Sequence, residues 1–130
     1  MSPDSLSLSL LPGRLAICRL DPDAEVPGWA HSGVFSSATR TAGELSIVCP
    51  EDQVPPGVRS DRGWRALKLE GPLDLSMAGV IAAMAAPLAE AGIPIFSIAT
   101  YATDYLLVRE SQLPASIAAL AEHGHTVTGA

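Results

Sequence analysis

Residues 92–108, GIPIFSIATYATDYLLV, constrain the fold of this chain more than any other stretch. Two apolar, strand-like runs (93–100 and 104–108) flank a polar corner of Thr100, Tyr101, Ala102, Thr103 and Asp104. The chain must reverse there with both arms buried. A helix-like segment runs into this hairpin. In it Val80, Met84 and Leu88 recur four apart, joined by Ile81, with Ser76 as a fair N-cap and Gly92 as the C′ stop. Pro87 removes the hydrogen bond to the carbonyl of Ala83, which predicts a kink or an early fray. A corner of hydroxyls plus one carboxylate is a candidate grip for the ammonium group of a small polar ligand. It supplies no nucleophile–base pair, so sensing or regulation comes before catalysis.

The rest of the second half completes a recognisable order. Trp64 to Glu70 alternates apolar and charged residues, the period of a half-buried strand, and Gly71-Pro72 ends it. A second helix is expected over about 112–123, capped by Ser111 and stopped by Gly124, with Leu113, Ile117 and Leu120 inward. Residues 125–127 give a last strand. The order βαββαβ is that of a ferredoxin-like unit, an α+β fold with helices on one face of an antiparallel sheet.

The first half reads as a degenerate copy. Residues 6–11 and 14–20 form an expected hairpin across Pro12-Gly13, and 34–40 with 44–48 a second one turning at Ala42-Gly43. Pro22-Asp23 and Pro27-Gly28 leave room for only a short helix ending near Trp29. Pro50, Pro55, Pro56 and Gly57 mark a linker to about Gly63. The hairpins of the two halves align with one inserted residue, so that Thr39 answers Thr100 and Glu44 answers Asp104. The expected division is a degenerate unit over 1–60 and a second unit over 61–130.

Composition narrows the partners. With 48% hydrophobic and 17% charged residues in 130, the chain is folded rather than disordered. A net charge of −6, with eight scattered basic residues, argues against nucleic acid and anionic membrane surfaces. No apolar run reaches the roughly 18–20 residues of a spanning helix, and the start lacks a basic signal region, so cytoplasmic residence is the expectation. Cys18 and Cys49 lie in expected strands and read as buried reduced thiols, with a disulfide as the alternative. His31, His123 and His125 read as surface residues in no metal or triad pattern. No cofactor or metal is implied. Trp29 and Trp64 read as packing anchors.

The helix ending in Gly92, residues 92–95 and residues 98–108 resemble the ACT domains of aspartate kinases. They are closer still to the tandem ACT modules of CASTOR-type arginine sensors and their small bacterial relatives. Residues 34–49 are similar to the first half of those bacterial two-ACT proteins, and the matching stretches cover about 6–49 and 64–127. The resemblance implies two ferredoxin-like units side by side, the first degenerate, with a free amino acid bound between units. It implicates Gly79, Val80 and Ile81, whose backbone N–H groups at a helix start can receive a carboxylate. It also implicates Thr100, Tyr101 and Asp104, and the matching corner residues Thr39 and Glu44. Two departures stand out: Ala99 replaces the family's usual Ser, and the first-half helix is too short to match.

The expected function is therefore a non-catalytic, amino-acid-binding regulatory module, and a homodimer, because small units leave sheet edges to cover. The alternative is a scaffold that keeps the fold and has lost its ligand. Each site residue also has a plainer role. Asp104 can simply begin a strand, Thr100 and Thr103 are good β-formers, Tyr101 can be an exposed turn aromatic, and Arg40 and Glu44 can be a solvated pair across the first hairpin.

Overall fold

The computed structural model describes residues 4–71 and 78–129. Among these, eight strands and two α-helices run in the order β1 (Ser7–Leu10), β2 (Leu15–Leu20), β3 (Ser37–Arg40), β4 (Leu45–Pro50), β5 (Ser60–Leu69), α1 (Val80–Glu90), β6 (Phe96–Ala99), β7 (Asp104–Arg109), α2 (Leu113–Glu122) and β8 (Thr126–Thr128). The chain is a mixed α+β protein with few helices. It divides into two compact units, one from residues 1–11 and 65–130 and the other from 12–64. β5 changes unit at Trp64/Arg65.

This division departs from the boundary expected near residue 60, because the first strand joins the later unit. The expected hairpin across Pro12-Gly13 does not form. β1 instead pairs antiparallel with the second half of β5 (Leu8 with Leu69, Leu10 with Leu67) and parallel with β8 (Leu8 with Val127). β2 pairs with β4 and with the first half of β5. The reason lies in the leucines: Leu6 and Leu8 are fully buried in one core with Val80, Met84, Leu88 and Leu120, which a hairpin with β2 would not reach. Gly13, at φ +81°, takes the left-handed conformation that lets the chain leave β1 for the other unit.

In the later unit the strand order is β6-β7-β5-β1-β8. Val80, Met84 and Leu88 of α1 and Leu120 of α2 join Leu6, Leu8, Leu67, Leu69, Leu106 and Val108 in one core. Ile81, expected on that inward face, is 43% exposed. Both helices end as their glycines predict. The N–H of Gly92 donates to Ala89 and that of Ile93 to Leu88, with Gly92 at φ +74°. Gly124, at φ +88°, donates to Ala121, and His125 to Leu120. These are Schellman motifs, which satisfy the last carbonyls of a helix. α2 starts one residue later than expected, after a short 3-10 helix over Glu110–Gln112, and Ser111 is not its cap. The expected cap of α1, Ser76, lies outside the described residues.

Pro87 neither ends nor frays α1, which continues to Glu90. Having no N–H, Pro87 leaves the Ala83 carbonyl without its helical donor. His125 replaces it: its Nε2 lies 3.1 Å from that oxygen. Its Nδ1 accepts the N–H of Leu6 at 3.0 Å. An acceptor role at Nδ1 places the ring proton on Nε2, so the neutral imidazole donates to Ala83. His125 is 6% exposed, not the surface residue its sequence context suggests. It follows the C′ glycine of α2, and from there its ring reaches α1 and the start of β1.

In the unit of residues 12–64 the strand order is β3-β4-β2-β5. Short 3-10 helices, Gly28–His31 and Glu51–Gln53, occupy the two crossovers where the other unit has α1 and α2. Prolines at 22, 27, 50, 55 and 56 prevent anything longer. The core here is Ala16, Cys18, Ala30, Leu45, Ile47, Cys49 and Val54, with Trp29 packed against it. Trp64 is buried and donates from Nε1 to Asp61. Both cysteines are free and buried. Burial raises the Cys18 thiol, and burial together with the neighbouring Cys18 pushes Cys49 up to about 11, so both stay protonated at neutral pH.

Candidate ligand-binding corner

The corner of residues 100–103 joins β6 to β7, with Ala99 and Asp104 as the last paired positions. Thr100 holds it closed. Its N–H donates to the Thr103 carbonyl at 2.8 Å and its Oγ1 to the same oxygen at 3.1 Å, while Oγ1 accepts the Thr103 N–H at 3.2 Å. Thr103 is buried, and its hydroxyl donates to the carbonyl of Leu69 at 2.6 Å. That bond anchors the corner to the end of β5, the strand that leads towards α1. Both threonine hydroxyls therefore serve the architecture. Tyr101, at the tip, is 86% exposed. Asp104 is half-buried, and its carboxylate has no hydrogen bond or ion pair among the described residues.

The start of α1 supplies a different chemistry. Gly79 precedes the helix in the left-handed region at φ +81°, and no side chain caps the first turn. The Gly79 carbonyl accepts the first helical bond, from Ala83, at 2.9 Å. Val80 faces the core with its side chain, so a contribution from this position to a ligand is confined to its backbone N–H. Ile81 is half-exposed beside it. Uncapped N–H groups at a helix start favour an anion such as a carboxylate.

The twin corner shows what the sequence alignment missed. β3 and β4 pair Arg40 with Leu45, as β6 and β7 pair Ala99 with Asp104. The four-residue turn between them is closed by Thr41, whose N–H donates to the Glu44 carbonyl at 2.9 Å and whose Oγ1 accepts the Glu44 N–H at 3.2 Å. Thr41 thus answers Thr100, Glu44 answers Thr103, and Leu45 answers Asp104, with no inserted residue. The expected equivalences of Thr39 with Thr100 and of Glu44 with Asp104 are corrected by this register. Thr39 is exposed on β3, opposite Ser46. Arg40 makes no pair with Glu44; its guanidinium donates to the carbonyls of Pro22 and, at 2.7 Å, Ala24, tying down the loop after β2. A T-x-x-[ET] match at equal spacing after each strand was the available signal.

Solved structures place the chain among known proteins. A protein from Agobacterium tumefaciens is 40% identical, with a TM-score of 0.91 over 95% of this chain and 92% of that one. The chain belongs to one family with this Agobacterium protein. Residues 59–122 match the ACT-domain family, and residues 13–57 match a family described only as an N-terminal domain. A Vibrio cholerae protein at 22% identity (TM-score 0.76, 94% of this chain and 92% of that one) shares the fold. So does the regulatory subunit of aspartate kinase from Thermus thermophilus, at 14% identity and a TM-score of 0.61, over 89% of this chain and 96% of that one. Among curated proteins there is no match. The ACT-matching segment contains the second corner, the start of α1 and Asp104; the first corner falls in the N-terminal match. Among the described residues no helix is long and apolar enough to cross a membrane, and no cluster of three metal-ligating side chains occurs.

Proposed function

We propose that this chain is a non-catalytic regulatory module of tandem ACT type that binds a free α-amino acid at one competent site, built around Asp104. Gly79, Val80 and Ile81 receive the ligand carboxylate through backbone N–H groups, and Asp104 receives its ammonium group. Thr100 and Tyr101 shape the corner, the first by bracing it and the second by standing exposed at its tip.

One observation carries this reading. The two corners share their turn, yet where one has the buried Leu45 the other has Asp104, a half-buried carboxylate with no partner among the described residues. A partly buried charge without a partner costs stability, and a cationic group on a ligand is what would repay it. The strand orders support two ferredoxin-like units: counted within each unit from β2 and from β5, both read second, third, first, fourth, the later unit having β1 inserted before its last strand. The first unit is degenerate, and Thr39 and Glu44 do not form a second site. Among the described residues the edge strands β3 and β6 each have one partner, leaving edges on which two copies can pair as a cytoplasmic homodimer.

A thermal-shift panel of the twenty amino acids tests this directly. At least one is expected to raise the melting temperature of the wild type and to do so less in Asp104→Asn. A silent panel with an unchanged oligomeric state leaves the ligand-free scaffold as the better reading.

A further inference from the structure

His125 is not among the residues of the proposed ligand site, yet its ring ties α1 to the start of β1. Pro87 strips the Ala83 carbonyl of its helical donor, and a neutral His125 supplies the replacement at 3.1 Å while accepting the Leu6 N–H at 3.0 Å. Three elements meet on one ring: α1 through Ala83, the start of β1 through Leu6, and the turn from α2 to β8 through His125 itself. We propose that His125 is a proton-sensitive latch, closed when its imidazole is neutral and broken at Leu6 when it is protonated.

The chemistry is that of a single nitrogen. A second proton can enter only at Nδ1, the atom that accepts from Leu6. Imidazolium has two N–H donors and no acceptor, so a donor then faces the Leu6 N–H donor, and that bond is lost. The Nε2–H to Ala83 survives ring protonation, so the ring must swing or the start of β1 must leave. The core side chains from α1, α2 and the start of β1 (Val80, Met84, Leu88, Leu120, Leu6 and Leu8) are apolar.

α1 carries Glu90, which lies 3.2 Å from His123 Nε2; α2 carries Glu122, which is exposed; Asp4 precedes β1 and presents its carbonyl to Gly124; β8 has none. His123 is built the opposite way, with both ring nitrogens facing acceptors, the Ala119 carbonyl at 3.0 Å and the Glu90 carboxylate. It tolerates the proton that His125 does not. Acid therefore acts on β1 through one histidine and leaves the other contact in place.

The test needs the intact wild-type chain first. Long-range 15N–1H NMR of the His125 ring at about pH 8 is expected to show a protonated Nε2 and a bare Nδ1. Acidification until those ring signals report protonation should lower the amide-exchange protection of Leu6, corrected for intrinsic rates, about tenfold, the loss expected for one hydrogen bond. His125→Gln presents one acceptor and one donor that do not titrate, so its Leu6 protection should stay flat over that range; His123→Gln should keep the wild-type response. An Nδ1–H tautomer at pH 8, a Leu6 amide unmoved by ring protonation, or a full acid response in His125→Gln would each overturn the latch.

Discussion

The two β-corners of this chain are the same turn put to different ends. Thr41 and Thr100 each close a four-residue turn with the same backbone bond and the same accepted N–H. The strands that follow then diverge at their first residue, Leu45 in one and Asp104 in the other. The turn is thus scaffold, set by a threonine whose hydroxyl mimics a backbone acceptor. At the position after the turn, the structural corner has an apolar side chain and the candidate site a carboxylate.

The largest test of this comparison is to exchange that side chain in the structural corner. Leu45→Asp puts a carboxylate among Ala16, Cys18, Ile47 and Cys49, and its cross-strand partner Arg40 is already engaged by the carbonyls of Pro22 and Ala24. A loss of at least about 3–5 kcal/mol is expected in urea unfolding, the scale of an uncompensated buried charge. A loss under about 1 kcal/mol would mean that the two positions are equally tolerant, and the comparison fails. Next is the anchor of the second corner to β5; the first corner is held instead to β2 by Arg19, which donates to the Gly43 carbonyl at 2.9 Å. Thr103→Val keeps the shape and leaves the Leu69 carbonyl without its donor, for a cost of about 1–3 kcal/mol by the same measurement. A neutral result would show that the corner does not depend on β5.

A smaller effect sharpens the shared part. Thr41→Ala and Thr100→Ala each remove a hydroxyl that accepts the N–H of the last turn residue (that of Thr41 also accepts the Gly43 N–H at 3.2 Å), and each is expected to cost about 1 kcal/mol. If the turns are equivalent, the two costs agree to within about 0.5 kcal/mol, the scatter expected of independent sites. A twofold or larger disparity would show that one threonine has a second duty.

Much of this was legible in the sequence, for reasons that differ by element. The Val80, Met84 and Leu88 stripe and the stops at Gly92 and Gly124 are local rules, and they led to the helices and caps observed. The first strand was misassigned because Pro12-Gly13 signals a turn without saying which strand the chain turns towards; the burial of Leu6 and Leu8 decided it. The corner equivalence was missed because Thr39 and Thr41 are both threonines two residues apart, and only strand register distinguishes them. His125 was placed at the surface because a lone histidine near the end of a chain gives no hint of the carbonyl that Pro87, 38 positions earlier, leaves vacant. Long-range compensation of that kind has no local signature.

The finest test runs the exchange in the other direction. Asp104→Leu gives the second corner the residue of its twin, and at a half-buried position the added apolar area is worth about 1 kcal/mol. The variant should therefore unfold at slightly higher urea than the wild type while losing any melting-temperature response to amino acids. That pairing, stability gained as binding is lost, is what a residue retained for a ligand rather than for the fold must show. A destabilised Asp104→Leu would instead make Asp104 the ordinary opening residue of β7, with the backbone of the corner depending on its carboxylate. The two corners would then differ only in how each starts its strand.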